Sequence, residues 1–158
     1  AKICHNLGVG SNLDCMLGHN LDTRWGSPLH VEGKIEALFD GSFVYEGGIW
    51  DEVKGDMGPC AVLKSKGVRI LVTSYATYDW ADEQWQAVGI DPRLTRFAVA
   101  KNPMNFHNVY SGCASQVHIL DTPGPTPASV KNLPFKNLTH PCFPINKDIH
   151  QMEPVILT

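Results

Sequence analysis

No apolar run in this chain approaches the ~20 residues a membrane-spanning helix requires, which excludes that class. No charged-then-apolar leader opens it, so a secretory signal is not expected. Cysteines are few and odd in number: Cys4, Cys15, Cys60, Cys113 and Cys142, widely spaced and without a C-x-x-C pair. That spacing argues against a disulfide framework or a zinc ribbon and predicts buried, reduced thiols in a cytoplasmic protein. Net charge is small, −3 from 13 basic and 16 acidic residues scattered along the chain. A nucleic-acid binder concentrates Lys and Arg on one face, so that partner is not expected. Also absent are a P-loop, a G-x-S-x-G elbow, an H-E-x-x-H helix, internal repeats and low-complexity tracts. Gly8-Val9-Gly10 lacks the third glycine and the helix of a dinucleotide fingerprint.

What is present fits one domain spanning residues 1–158, with 43% hydrophobic residues to build its core. Ile3 and Leu7 sit four apart and Gly8 follows them, the pattern of a helix end with its C-cap. This predicts the last two turns of a helix that begins outside the chain, and hence a domain cut from a longer protein. A strand is expected over Asn12–Leu17, then a turn-rich loop over 18–28. Residues 29–39 alternate, with Val31, Ile35, Ala37 and Phe39 expected on one side of a strand. Asp40-Gly41 reads as a tight turn, with Phe43-Val44-Tyr45 returning as the next strand. Residues 60–63 and 68–73, joined by Lys66-Gly67, predict a second hairpin.

A helix is expected over 81–88, capped by Asp82 or Asp79 and stopped by Gly89. Short strands are expected over 97–100 and 116–120, and a helix over 105–110 after Pro103. The proline-rich last thirty-odd residues predict irregular chain wrapping the surface. The fold class is therefore α+β: a mixed, largely antiparallel sheet built from hairpins, with two or three flanking helices.

Seven histidines invite a metal reading, with His19, Asp22 and His30 close enough in sequence to offer nitrogen and oxygen donors. Their spacing matches no established site, and solvated loop side chains are the favoured reading. The segment Lys101-Asn102-Pro103-Met104-Asn105-Phe106-His107 follows an expected strand. There Lys101 offers a cation for an anionic group, and Asn105 and His107 offer hydrogen bonds. The competing reading is a proline-capped helix start whose polar residues face water. Ser74 has no base adjacent in sequence. Trp25, Trp50, Trp80 and Trp85 read as packing residues.

The order of segments resembles the C-terminal domain of the microcystinase C (MlrC) family of zinc metallopeptidases. Gly8-Val9-Gly10, Leu17-Gly18-His19 with Asp22, and Gly26-Ser27-Pro28-Leu29 carry the first part of it. Asp56-Met57-Gly58-Pro59, Ala61-Val62-Leu63 and Val72-Thr73-Ser74 follow. Gly89-Ile90-Asp91-Pro92, Val99-Ala100-Lys101, Asp121-Thr122-Pro123-Gly124 and Leu133-Pro134-Phe135 complete the series.

The resemblance implies a two-domain parent whose N-terminal α/β domain holds the zinc ligands. It also implies hydrolysis of small or linearised peptides, linearised microcystin among them. No ligand of that zinc is carried over to this chain, so no cofactor is expected here and zinc is expected in the parent. Many relatives read Lys-Ser-x-x-His-Phe-Arg where this chain has Asn102, Asn105 and His107 at the Ser, His and Arg positions. The expected partners are the N-terminal domain and a peptide substrate. Lys101, Asn105, His107, His19 and Asp22 are the expected cleft-facing contacts, and the chain alone is expected to be inactive. The alternative is a non-catalytic binding or homo-oligomerisation module whose hairpins pair with a second subunit.

Overall fold

The computed structural model describes residues 1–19, 22–102, 105–124, 126–130 and 133–147. They form two compact units, Ala1–Val117 and His118–Thr158. Among the described residues, the first holds every α-helix and strand: α1 (Lys2–Leu7), β1 (Asn12–Leu17), β2 (Leu29–Phe39), β3 (Ser42–Val44), β4 (Lys54–Asp56), β5 (Cys60–Ser65), β6 (Val68–Val72), α2 (Glu83–Ala87) and α3 (Phe106–Tyr110). Four strands make one sheet in the order β1-β2-β5-β6, and β3 pairs with β4 in a two-stranded ribbon. Every ladder among the described residues is antiparallel, which makes the fold α+β, as the hairpin pattern predicts.

The centre of the sheet is β5, where Cys60, Ala61, Val62 and Leu63 are all fully buried. A strand apolar on both faces needs cover on both. Ala61 and Leu63 pack with Cys4, Leu13 and Ile35, while Cys60 and Val62 pack with Phe43, Tyr45, Met57 and Val88. Helix α1 closes the first cluster by burying Cys4, while Ile3 and Leu7 stay 59% and 49% exposed. Gly8 ends the helix as expected: its φ of 85° lies in the left-handed region, and its N–H returns to Cys4 O at 2.9 Å.

Strand β2 departs from simple alternation. A bulge interrupts its register with β5 between Ile35 and Ala37, so one extra residue, Glu36, shifts the faces. Ile35 and Leu38 therefore join one cluster, and Ala37 and Phe39 join the other. The expected single row of Val31, Ile35, Ala37 and Phe39 is corrected on this point. Glu36 is held by Arg69 of β6 through two hydrogen bonds of 2.7 and 2.9 Å.

The chain after Asp40-Gly41 does not return along β2. Gly41 (φ 88°) stands so close to Gly58 that a Cβ on it would collide with the Gly58 carbonyl oxygen, and Gly41 O accepts the Met57 N–H at 2.9 Å. That contact diverts β3 into the ribbon with β4, and the neighbours of β2 are β1 and β5. The β5–β6 hairpin through Lys66-Gly67 forms as expected.

Residues 97–100 and 116–120 are not strands: no ladder reaches them, and Phe97, Val99, Ile119 and Leu120 are exposed. Apolar side chains make a strand only where a neighbouring backbone can complete the hydrogen bonds. Helix α2 is shorter than expected, five residues, and neither proposed aspartate caps it through its side chain. Trp50, Trp80 and Trp85 pack against the core, whereas Trp25 lies in the loop after β1. The thiols are free, but only Cys4 and Cys60 are buried. Cys113 is exposed, and Cys15 and Cys142 lie between.

In the second unit the described residues form no helix or strand. A hollow of about 390 Å³ there is lined by Leu133, Phe135, Lys136, Leu138, His140 and Ile145. None of the sequence-predicted contact residues lies in it.

Candidate functional site

Past the end of β6 the chain runs irregularly across the β3–β4 ribbon, and its course is set by one buried hydroxyl. Tyr45, 5% exposed, donates through its hydroxyl to Tyr78 O at 2.8 Å and accepts the Tyr78 N–H at 3.0 Å. Rings of Phe43, Tyr45, Trp50, Tyr78 and Trp80 follow one another with centroids 4.9 to 6.1 Å apart. These contacts hold Tyr78 and Asp79 in place with no regular secondary structure.

Tyr78 and Asp79 in turn anchor the Lys101 segment. Asp79 Oδ2 accepts the Lys101 N–H at 2.8 Å, and Asp79 O accepts from the Asn102 side-chain amide at 2.5 Å. Asn102, only 7% exposed, also accepts the Asn105 N–H through Oδ1 at 3.2 Å. Asn105 donates from Nδ2 to the Tyr78 hydroxyl at 2.8 Å. The backbone at Lys101 is thereby fixed, while the Lys101 residue remains exposed. A flexible ammonium on a fixed backbone can meet a carboxylate or a polarised carbonyl oxygen.

Burial shapes the acids and phenols of this region. Desolvation pushes the Asp79 carboxyl above its usual range, against the pull of the Lys101 N–H. The Tyr110 phenol is pushed up to about 12, first by desolvation and then by the negative charges of Asp82 and Asp79. Arg93 lies 2.8 Å from Asp91 and 3.5 Å from Asp82. The Ser74 hydroxyl donates to Pro59 O at 2.5 Å.

The other expected contacts divide. Asn105 and Lys101 come together at Tyr78 and Asp79. His107 is exposed, its ring against Phe106 with centroids 4.0 Å apart. Asp22 belongs to a separate loop, where Arg24 grips its carboxylate at 2.7 to 3.2 Å and the Trp25 indole donates to it at 3.1 Å. The Arg24 hydrogen bonds hold the Asp22 carboxyl below its usual range. The His19 ring covers Gly26, leaving no room there for a Cβ. Among the described residues no hydrogen bond or ion pair joins His19 or Asp22 to the Lys101 segment.

Nor do His19, Asp22 and His30 assemble as a ligand set. His30 Nε2 instead lies 2.5 Å from Asp14 Oδ1. With Glu32 these two form the one group of three metal-ligating side chains found among the described residues. Sequence reasoning missed Tyr78 and assigned Asp79 to a helix cap. Their partners lie 22 to 27 positions away across irregular chain, where no periodic signal exists. Glu32 was within reach, since it and His30 are two apart on one strand and must share a face.

Residues 1–137 match the family described as MlrC C-terminus. Among solved structures, a candidate metallopeptidase of Mesorhizobium sp. BNC1 is similar in fold, with a TM-score of 0.73 at 22% identity. The match covers 92% of this chain and 29% of that protein, so the chain spans less than a third of its length. No curated protein matches the chain.

Proposed function

Because the chain belongs to the MlrC C-terminus family, which is peptidase-related, we propose that it serves as the C-terminal domain of a zinc-dependent peptidase acting on small or linearised peptides, the microcystin-degrading type among them. Its part is to supply one wall of a substrate cleft and polar contacts to the peptide. Zinc held by the remainder of the parent would act as Lewis acid and water activator. No residue of this chain is assigned as a ligand of that ion. Sites between domains are a common location for such clefts.

The observation that carries this reading is the double anchoring of the Lys101 segment, by Asp79 at its start and by Tyr78 at Asn105. A side chain presented from fixed backbone loses little freedom on meeting a substrate, and that favours binding. Lys101 would take the peptide's carboxylate or a carbonyl oxygen. Asn105 holds the segment in place, and His107, exposed two residues further on, is the second contact.

The test uses the full-length parent and a linear peptide. Lys101→Ala is expected to raise KM while the fold is unchanged by circular dichroism. The isolated 158-residue chain is expected to hydrolyse nothing. Unchanged kinetics in a folded Lys101→Ala enzyme would remove Lys101 from the cleft. Oligomer dissociation on substitution in the hairpins, with normal kinetics, would support the binding-module alternative.

A further inference from the structure

The β1–β2 ladder sets Asp14 directly opposite Glu32 and Met16 opposite His30. His30 is thus two residues from Glu32 on the same face and diagonal to Asp14. Two carboxylates directly opposite each other on adjacent strands repel, and positive charge near them, from Lys34 on the same face or from a bound cation, relieves that repulsion. The His30 Nε2 edge faces that space, 2.5 Å from Asp14 Oδ1. One ligand atom from each of Asp14, His30 and Glu32 lies within 4.8 Å of the others.

The donors stand on one strand pair whose backbone register runs unbroken from Asn12↔Lys34 to Leu17↔Leu29. Their Cα positions are therefore fixed, and only side-chain rotation is needed to close on an ion. All three side chains are exposed, so that rotation is open to them and an ion can reach them from solvent. One imidazole nitrogen with two carboxylate oxygens suits a borderline transition-metal ion. Calcium and magnesium favour six or more oxygen donors.

We propose that Asp14, His30 and Glu32 form a binding site for a divalent transition-metal ion of the zinc class, with the remaining coordination position left to water. The proposal stands independently of the peptidase reading, and it departs from the expectation that this chain holds no metal. An ion there takes the place of the hydrogen between His30 and Asp14, binds the neutral imidazole, and relieves the repulsion between Asp14 and Glu32. It thereby ties the edge strand β1 to β2.

Calorimetric titration of the purified chain with Zn2+ tests it, beside His30→Ala and Glu32→Gln. One equivalent of uptake is expected in the unsubstituted chain. Each variant is expected to lose that equivalent while keeping the metal-free circular dichroism of the parent. Absence of uptake, or uptake undiminished in His30→Ala, overturns the proposal. The ring-nitrogen NMR signals of the unsubstituted chain serve if a variant does not fold: the His30 signal is expected to shift with Zn2+, and an unmoved signal overturns the site.

Discussion

The Tyr45 hydroxyl brackets the peptide unit of Tyr78, donating to its carbonyl at 2.8 Å and accepting its N–H at 3.0 Å. This one group connects the buried aromatic cluster to the stretch that holds Asp79, Lys101 and Asn105. Tyr45→Phe leaves the Tyr78 N–H without its partner and its carbonyl with the 3.4 Å hydrogen bond from Gln84 Nε2 alone, and is expected to cost about 1–3 kcal/mol. Urea denaturation measures the loss. Amide exchange at Tyr78 is expected to accelerate in the same variant, and protection equal to wild type would show that the hydroxyl does not hold this segment.

Asp79 gives the fold a pH dependence of known sign. Burial raises its native pKa above the ordinary 3.8, so the native state holds the proton more tightly than the unfolded chain. The associated stability is present at low pH and is lost as pH rises from 3.8 through the native value. Asp79→Asn keeps an acceptor for the Lys101 N–H and removes the buried charge. It is expected to gain stability over wild type at neutral pH, with the gain shrinking as the medium is acidified below that value. Urea curves at both ends of the range decide it, and a difference independent of pH contradicts the burial account.

Tyr110 sets the alkaline limit in the same way. Its native pKa of about 12 lies above the ordinary 10.0, so its contribution is complete below 10 and is lost as pH rises toward 12. Tyr110→Phe is expected to flatten the fall in stability across that interval. Ultraviolet absorbance of tyrosinate, followed with pH, is expected to lose a late-titrating component in the same variant.

The core predicts a contrast between two aliphatic residues. Leu63 is fully buried at the centre of β5, and Leu63→Ala is expected to cost about 2–5 kcal/mol. Ile49 is 84% exposed, and Ile49→Ala is expected to change stability by less than about 0.5 kcal/mol. Thermal or urea unfolding of the two variants side by side checks the placement of the core.

Two glycines of equal backbone strain separate conformation from contact. Gly41 and Gly67 have φ of 88° and 85°, so alanine at either meets the left-handed penalty of about 1 kcal/mol. Open space surrounds Gly67, whereas a Cβ on Gly41 meets the backbone of Gly58. Gly41→Ala is expected to be the more destabilising by a clear margin in urea unfolding. Equal costs would mean that the close approach of the two chains is not needed to divert β3.

Much of this arrangement was legible in local chemistry. The α+β class, β1, the β5–β6 hairpin, the Gly8 and Gly89 helix stops and a helix at 106–110 all follow from periodicity and turn residues within a few positions. The face-switching bulge at Glu36 was not legible, because one extra residue in a ladder leaves no mark on composition. Residues 97–100 show the converse: these β-favouring or apolar positions pair with no strand edge, and Phe97, Ala98 and Val99 stay exposed.

Within the candidate site, the sequence alone picked out Lys101 and Asn105 as polar groups in one short segment. It also excluded membrane-spanning helices and the familiar catalytic motifs, since these depend on composition and near-neighbour spacing. Only the tertiary structure decided which residues meet: Tyr78 with Asn105, Asp79 with Lys101, and His30 with Asp14 instead of with His19 and Asp22. The reason is physical. A hydrogen bond or a ligand set depends on distances of a few ångströms, and those are set by strand register and loop course, in which residues tens of positions apart are neighbours.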